Sequence, residues 1–224
     1  MRILTLLSCI FLLTACSMVP PQKFPPEEVL KRAIIRSMTS EGFALRGTGS
    51  LVLLKNGSEH SANFSFSGSV LPIKQAWFLH FTGTTMKRGI SIQKTIFLSS
   101  GEGTPSSVPE SSAIDAYSDA IRINSSRLQR TSAVSYVYIL SVNIPTEFSG
   151  LGAANTSGIL RIDARTFDLL HVEWKIVDAV PEMESSKFLL SAHLDQSSVF
   201  EVSASTLIGS SVLPDAIFDM ILAE

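Results

Sequence analysis

Cys16 is the residue whose type and position most clearly indicate chemistry in this chain. It follows a basic start at Arg2, an apolar run over residues 3–13 and two small residues, Thr14 and Ala15. This order is typical of an export signal that is cut next to small side chains. A cysteine at such a boundary offers a thiolate, the side-chain nucleophile that can form a thioether. Cys16 is therefore a candidate for covalent modification.

The residues Leu13-Thr14-Ala15-Cys16 resemble the lipobox of bacterial lipoproteins, in which an apolar residue and two small ones precede an invariant cysteine. The resemblance implies that residues 1–15 are a signal peptide and that Cys16 carries acyl chains such as palmitate. It places the mature protein on the cell membrane or the outer membrane, facing an extracytoplasmic space such as the periplasm. The apolar run is far shorter than the roughly 20 residues of a membrane-spanning helix. An ordinary secretory signal that contains a cysteine is the alternative.

Charge and cysteine content narrow the possible partners. Without residues 1–15 the chain loses only Arg2 of its 18 basic residues, which leaves 17 against 20 acidic residues and a net charge of −3. The charges are interspersed, so we expect neither nucleic-acid binding nor electrostatic docking on anionic lipid. Membrane attachment then depends on the acyl chains alone. Cys9 leaves with the signal and Cys16 is acylated, so no disulfide is expected in the mature domain.

The mature chain is predicted to be a short tether followed by one domain. Four prolines within residues 17–26 favour an extended conformation, and residues 16–25 are assigned to the tether. Pro26 is typical of a helix start, and the apolar stripe behind it predicts a helix over 26–39. Residues 26–224 form a single α+β domain in this prediction.

Antiparallel strands dominate the predicted domain. Period-two runs predict strands over residues 43–55, 58–71, 75–84, 89–99, 133–144, 158–163, 168–178, 187–195 and 198–205. The other predicted elements are a loop over 100–112 and helices over 113–128 and 213–222. Asn56-Gly57 joins the first two strands and is the strongest short signal for a hairpin turn. In 168–178 we expect the side with Trp174 to be buried and the side with His171 to meet water.

The order of elements resembles the LolA and LppX-like group of lipoprotein folds. An N-terminal helix over 26–39 runs into long meandering strands, as it does in that group. The segment Gly158-Ile159-Leu160-Arg161-Ile162-Asp163-Ala164-Arg165-Thr166 is similar to its "strand, Asp, turn, Thr" segment. The resemblance implies a curved antiparallel β-sheet, a half-barrel, wrapped over a few helices around an apolar cavity. Members of the group bind lipids or the acyl chains of lipoproteins and carry them without catalysing a reaction.

A ligand cavity of this kind needs large apolar side chains on the concave face of the sheet. The sequence offers nine strand residues as cavity candidates: Phe64, Phe66, Trp77, Leu79, Phe81, Tyr136, Tyr138, Val172 and Trp174. The alternative is that these residues fill a solid core, as aromatic residues in strands usually do. A solid domain would favour a second function, a structural or interaction lipoprotein that joins an envelope complex without a ligand.

Catalytic and metal-binding functions have little support in the sequence. The four histidines, His60, His80, His171 and His193, show no metal-ligand spacing. The nucleophile motif G-x-S-x-G does not occur, and Gly101-Glu102-Gly103 lacks the strand-to-helix context of a phosphate loop. We therefore expect no enzyme activity, no catalytic residues, no metal and no cofactor.

Overall fold

The computed structural model describes residues 21–73, 76–87, 90–99, 118–133, 135–143, 155–177 and 184–195. Its helix, α1, extends over Pro26–Met38, as predicted. Pro26 lies in the first turn, where its missing N–H is harmless, and Glu27 and Glu28 lie at the positive end of the helix dipole. Within these described ranges, no helix has the length and hydropathy needed to span a membrane.

Nine strands form one antiparallel sheet among the described residues. They are β1 (Phe43–Lys55), β2 (Ser58–Leu71), β3 (Ala76–Lys87), β4 (Ile90–Ser99), β5 (Arg122–Arg130), β6 (Tyr136–Asn143), β7 (Asn155–Asp163), β8 (Leu169–Val177) and β9 (Ser185–Asp195). Their order across the sheet is β4-β3-β2-β1-β9-β8-β7-β6-β5. The predicted fold class, α+β with one open antiparallel sheet, is confirmed.

The first hairpin fixes the register of β1 and β2. Asn56 and Gly57 both have positive φ, 50° and 70°, as a two-residue type I′ turn requires. Pairing then runs along the full length of both strands without a slip. The predicted turn and the two predicted strand ranges are confirmed.

The pairing of β1 with β9 joins the two halves of the sheet. Strands β1 to β4 form one meander, β5 to β9 form another, and β1 is bonded to both β2 and β9. Leu54 lies opposite Ser185 and Ala44 lies opposite Asp195. These partners are more than 130 positions apart in sequence, so no local pattern indicates that they meet.

One predicted element is wrong. Arg122–Arg130 forms strand β5 instead of the end of the predicted helix over 113–128, although residues 118–120 are helical. The run Asn124-Ser125-Ser126 is a weak helix former, and the strand gains backbone pairing with β6 at the sheet edge. The predicted loop 100–112, strand 198–205 and helix 213–222 lie outside the described residues.

Helix α1 packs on one end of one sheet face. Its buried residues Val29, Leu30 and Ala33 join a hydrophobic cluster from the β6 to β8 region. The other buried members are Tyr138, Leu140, Val142, Leu160, Ile162, Ala164 and Val172. Burying one large aliphatic side chain contributes about 1.5–3 kcal/mol, so this cluster fixes α1 on the sheet.

The end of the predicted tether also lies on the domain. The Tyr138 hydroxyl accepts a hydrogen bond from the Phe24 N–H at 3.0 Å and donates one to the Gln22 carbonyl at 3.0 Å. The Phe24 ring meets Phe167 edge-on at 5.5 Å, and the Arg32 guanidinium lies 4.3 Å from the centre of the Phe24 ring. The chain is therefore held against the domain from Gln22 onward.

Candidate functional site

Alternation along the paired strands sorts the side chains onto two faces of the sheet. One row of opposing residues from β7 to β3 consists of Leu160, Val172, Ala192, Gly47, Phe66 and Phe81. Opposing residues point to the same face, and successive residues of a strand point to opposite faces. We call the face of this row the apolar face, and the side that carries His171 and Glu173 the polar face. Helix α1 packs on the apolar face.

Eight of the nine predicted cavity residues fall on the apolar face, and the side chain of the ninth, Trp77, lies outside the described part of the structure. Phe64, Phe66, Trp77, Leu79 and Phe81 lie on β2 and β3, whereas Tyr136, Tyr138, Val172 and Trp174 lie on β6 and β8. Strands β1 and β9 separate the two groups and add residues that the sequence prediction missed: Leu51, Phe188, Leu190 and Ala192. The alternation within β1 and β9 was the signal that could have found them. The apolar face is thus continuous from β3 to β6, and a cavity along it stays a prediction.

Phenylalanine rings pack tightly on the β2 and β3 side of the apolar face. The Phe64 ring centre lies 5.8 Å from that of Phe188 and 6.1 Å from that of Phe81, and Phe66 lies 5.6 Å from Phe81. Each of these rings belongs to a residue that is at most 8% exposed. Gly49 of β1 makes room for them, because Phe64 ring atoms occupy the place where a side chain on Gly49 would lie.

The β6 and β8 group lies at the end of the face that α1 covers. Tyr138 and Val172 are buried, while Tyr136 and Trp174 are half-buried. The Trp174 indole lies over Gly158, where a Cβ atom would come within 2.9 Å of Trp174 Cδ1. In each of the two aromatic groups, one aromatic ring therefore packs against a glycine of the neighbouring strand: Phe64 against Gly49 and Trp174 against Gly158.

A hollow of about 1000 Å³ lies on the polar face. Two rows of side chains border it: Ser157, Lys175, Leu189, Ser50, Asn63 and Thr84 on one side, and Ile159, Glu173, Ser191, Thr48, Ser65 and Thr82 on the other. The row between them, which includes Phe64 and Trp174, forms the floor. Residues of β3 and of β6 both line this hollow, although the two strands are six positions apart in the strand order of the sheet. The sheet is therefore curved. In the sequence, small hydroxyl residues alternate with aromatic residues along these strands, and this pattern could have predicted the hollow.

The polar face also brings two histidines together. His171 and His193 lie opposite each other, and their Nδ1 atoms are 3.2 Å apart. His171 Nε2 lies 3.0 Å from Glu173 Oε1 and 3.4 Å from Ser191 Oγ. His171 is 6% exposed, so the expectation that its side of β8 meets water is wrong at this position. Burial lowers the pKa of His171 by more than its hydrogen bond to Glu173 raises it.

This histidine cluster does not have the geometry of a hydrolase triad. In a triad the nucleophile and the carboxylate contact opposite ring nitrogens, whereas Ser191 and Glu173 both face His171 Nε2. In the part of the chain that the structure describes, no three His, Cys, Asp or Glu side chains converge as metal ligands. The cluster therefore supports neither hydrolysis nor a metal centre.

No protein-family model matches the chain, and no curated protein matches its sequence. Solved structures do match. LprF from Mycobacterium bovis is 10% identical, with 79% of this chain and 95% of that chain covered and a TM-score of 0.38. A LolA superfamily protein from Nitrosomonas europaea is 8% identical, with 84% and 99% covered and a TM-score of 0.28. An outer membrane lipoprotein-sorting protein domain from Vibrio parahaemolyticus is 11% identical, with 85% and 97% covered and a TM-score of 0.20. The likeness concerns the path of the chain alone.

Proposed function

We propose that this chain is an extracytoplasmic lipoprotein, anchored by acyl chains on Cys16, whose domain binds a hydrophobic ligand against the apolar face. The ligand is a lipid or the acyl chain of another lipoprotein. One observation carries the proposal: among the described residues, the apolar face is continuous from β3 to β6, whereas α1 packs at its β5 to β8 end. A sheet face that extends beyond its helix offers the surface that an acyl chain requires.

The hydrophobic effect supplies the affinity in this proposal. Each methylene group that leaves water contributes about 0.8 kcal/mol, so an acyl chain that buries about ten of them gains about 8 kcal/mol. The entropy lost on association is subtracted from this gain. The result is a ligand held without any charged contact, which suits a face built from aromatic and aliphatic side chains.

The segment held before α1 limits the distance between the domain and a membrane. Cys16 and Gln22 are six positions apart in the sequence, and Gln22 is hydrogen-bonded to Tyr138. An extended chain spans at most about 3.3–3.6 Å per residue, so the anchor reaches about 20 Å from that point. With Cys16 acylated, the end of the sheet at Tyr138 lies within about 20 Å of the bilayer, a source of lipid.

A structural lipoprotein without a ligand is the competing function, and one observation favours it. The rings of Phe64, Phe66, Phe81 and Phe188 are buried and contact one another. A face that is packed in this way along its whole length would have no room for an acyl chain. The two functions predict different effects when bulk is added to the apolar face.

Lipid that co-purifies with the full chain tests the proposal. We would extract the parent, Leu190→Trp and Lys175→Trp from membranes and analyse an organic extract of each by mass spectrometry. Leu190 is half-buried on the apolar face and does not belong to the described cluster under α1, whereas Lys175 is exposed on the polar face, so the pair adds similar bulk to opposite faces. If a ligand occupies the apolar face, Leu190→Trp lowers the bound lipid and leaves the melting temperature near that of the parent. Lys175→Trp then changes neither quantity.

A solid core gives the opposite pairing of results. Leu190→Trp would then lower the free energy of unfolding by about 1–3 kcal/mol through overpacking, and no version would carry lipid. That outcome would reject the carrier function and leave the structural lipoprotein.

A further inference from the structure

Two buried polar atoms on the apolar face have no hydrogen-bond partner in the described structure. They are Trp174 Nε1 and Thr156 Oγ1, and Thr156 is 6% exposed. A third such atom, Ser37 Oγ, belongs to α1. A buried donor without a partner costs about 1–3 kcal/mol, which is why most buried polar groups in proteins are paired. Two unpaired atoms on one apolar face therefore point to a group that binds there.

The two donors are neighbours on the sheet. Trp174 pairs with Gly158, and Thr156 pairs with Ile176 on the same two strands, so Thr156 and Trp174 are diagonal partners. Cβ atoms of diagonal partners are about 7–8 Å apart, a distance that an aromatic side chain can bridge. Gly158 lies between them, and a Cβ atom there would come within 3.4 Å of Trp174 Nε1. Gly158 therefore keeps a side chain from crowding the indole N–H, which is itself buried.

The chemistry of the two donors selects the group that binds. An indole N–H only donates, and a threonine hydroxyl donates or accepts, so the ligand must present an acceptor oxygen. Among the described residues, the side chains of β7, β8 and β9 on the apolar face carry no charge. An ionised carboxylate would be buried there without a counter-charge, at a high cost in free energy. A neutral carbonyl oxygen meets both conditions.

We propose that Trp174 and Thr156 form a polar subsite that binds the ester carbonyl of an acyl lipid. The acyl chain then extends along the apolar face toward Phe188 and Phe64. This inference rests on the proposed function and makes it narrower, because it selects ester lipids over free fatty acids and over plain hydrocarbons.

Photo-crosslinking of the full chain in bacterial membranes tests the subsite. Three 16-carbon probes carry a diazirine at the end of the chain: a methyl ester, the free acid, and an alkane without oxygen. The tested variants remove one donor each: Thr156→Val nearly keeps the side-chain shape, and Trp174→Phe keeps an aromatic ring but is smaller. Thr48→Val is the control, because Thr48 is exposed on the polar face. The labelled fraction of each protein is measured by mass spectrometry.

We expect the ester to label the parent, and each donor variant to reduce ester labelling about two- to ten-fold, the value of one hydrogen bond. Labelling by the alkane is expected to stay the same in all variants, as is all labelling of Thr48→Val. The melting temperature of Thr156→Val should equal or exceed that of the parent, because an unpaired hydroxyl is replaced by an apolar group of similar size. Trp174→Phe should melt lower, because the smaller ring leaves a cavity.

Three results would overturn the subsite. Equal ester labelling of the parent and both donor variants would show that neither donor contacts the ligand. An equal loss of alkane labelling would show that the substitutions change the shape of the face and not a hydrogen bond. Stronger labelling by the acid than by the ester would reject the neutral carbonyl. If no probe labels the parent, the proposed function itself fails, which is a different result from these three.

Discussion

Gly49→Ala tests whether the packing of the phenylalanine rings requires a glycine beneath Phe64. The new Cβ atom would lie 2.6 Å from Phe64 Cε2 and 2.9 Å from the Leu189 carbonyl oxygen. Phe64 Cζ would lie closer still. Ordinary carbon contacts are about 3.5–4.0 Å, so the ring must move by more than about 1 Å within a packed group. Overpacking of this kind costs about 1–3 kcal/mol, and the loss of glycine flexibility returns about 0.5–1 kcal/mol. The expected net loss is about 1–2 kcal/mol of unfolding free energy.

Thermal unfolding of the parent and the variant measures this loss. For a domain of this size, about 1 kcal/mol corresponds to about 2–4 °C, so the melting temperature should fall by about 2–8 °C. Ser50→Ala is the matched control, because Ser50 is the next residue and points to the polar face. In a Phe64→Leu background, Gly49→Ala should cost less, because the smaller side chain no longer fills the same space. An unchanged or higher melting temperature for Gly49→Ala in the parent would refute the proposed packing.

Three further predictions concern the turn, the buried histidine and the anchor. Gly57→Val should lower the free energy of unfolding by about 1–2 kcal/mol in urea titrations, because the φ of 70° at this position is strained for valine. Gly57→Asn should have a free energy of unfolding near that of the parent. Equal losses of stability in the two variants would contradict the turn. Burial lowers the pKa of His171, so just below pH 6.5 the unfolded chain binds more protons than the folded chain does. The free energy of unfolding should therefore fall as the pH drops below 6.5, and it should be constant above that pH. His171→Gln should weaken that dependence, and a profile identical to that of the parent would count against the prediction. Cys16→Ser should abolish labelling by a fatty-acid analogue, and undiminished labelling would disprove the anchor.

Local signals predicted the first third of the domain closely. The proline and acidic residues at the start of α1, and Asn56-Gly57 between β1 and β2, act through backbone geometry that depends on neighbouring residues alone. Alternation also placed the eight aromatic and aliphatic candidates whose side chains are described on one face, because the side-chain period of a strand is fixed at two. The same reasoning failed for Arg122–Arg130, where pairing with a neighbouring strand outweighs a helical pattern.

The sequence by itself therefore determined most of the described elements, the faces of their strands and the choice of Cys16 as the candidate anchor, since these depend on residue type and spacing along the chain. Only the tertiary structure decided that β1 pairs with β9, that His171 is buried against His193, and that Trp174 and Thr156 lie side by side without partners. These contacts join residues that are far apart in the chain or on separate strands. Their register is set by the sheet as a whole, because a strand exposes hydrogen-bonding groups that any other strand of suitable length can satisfy.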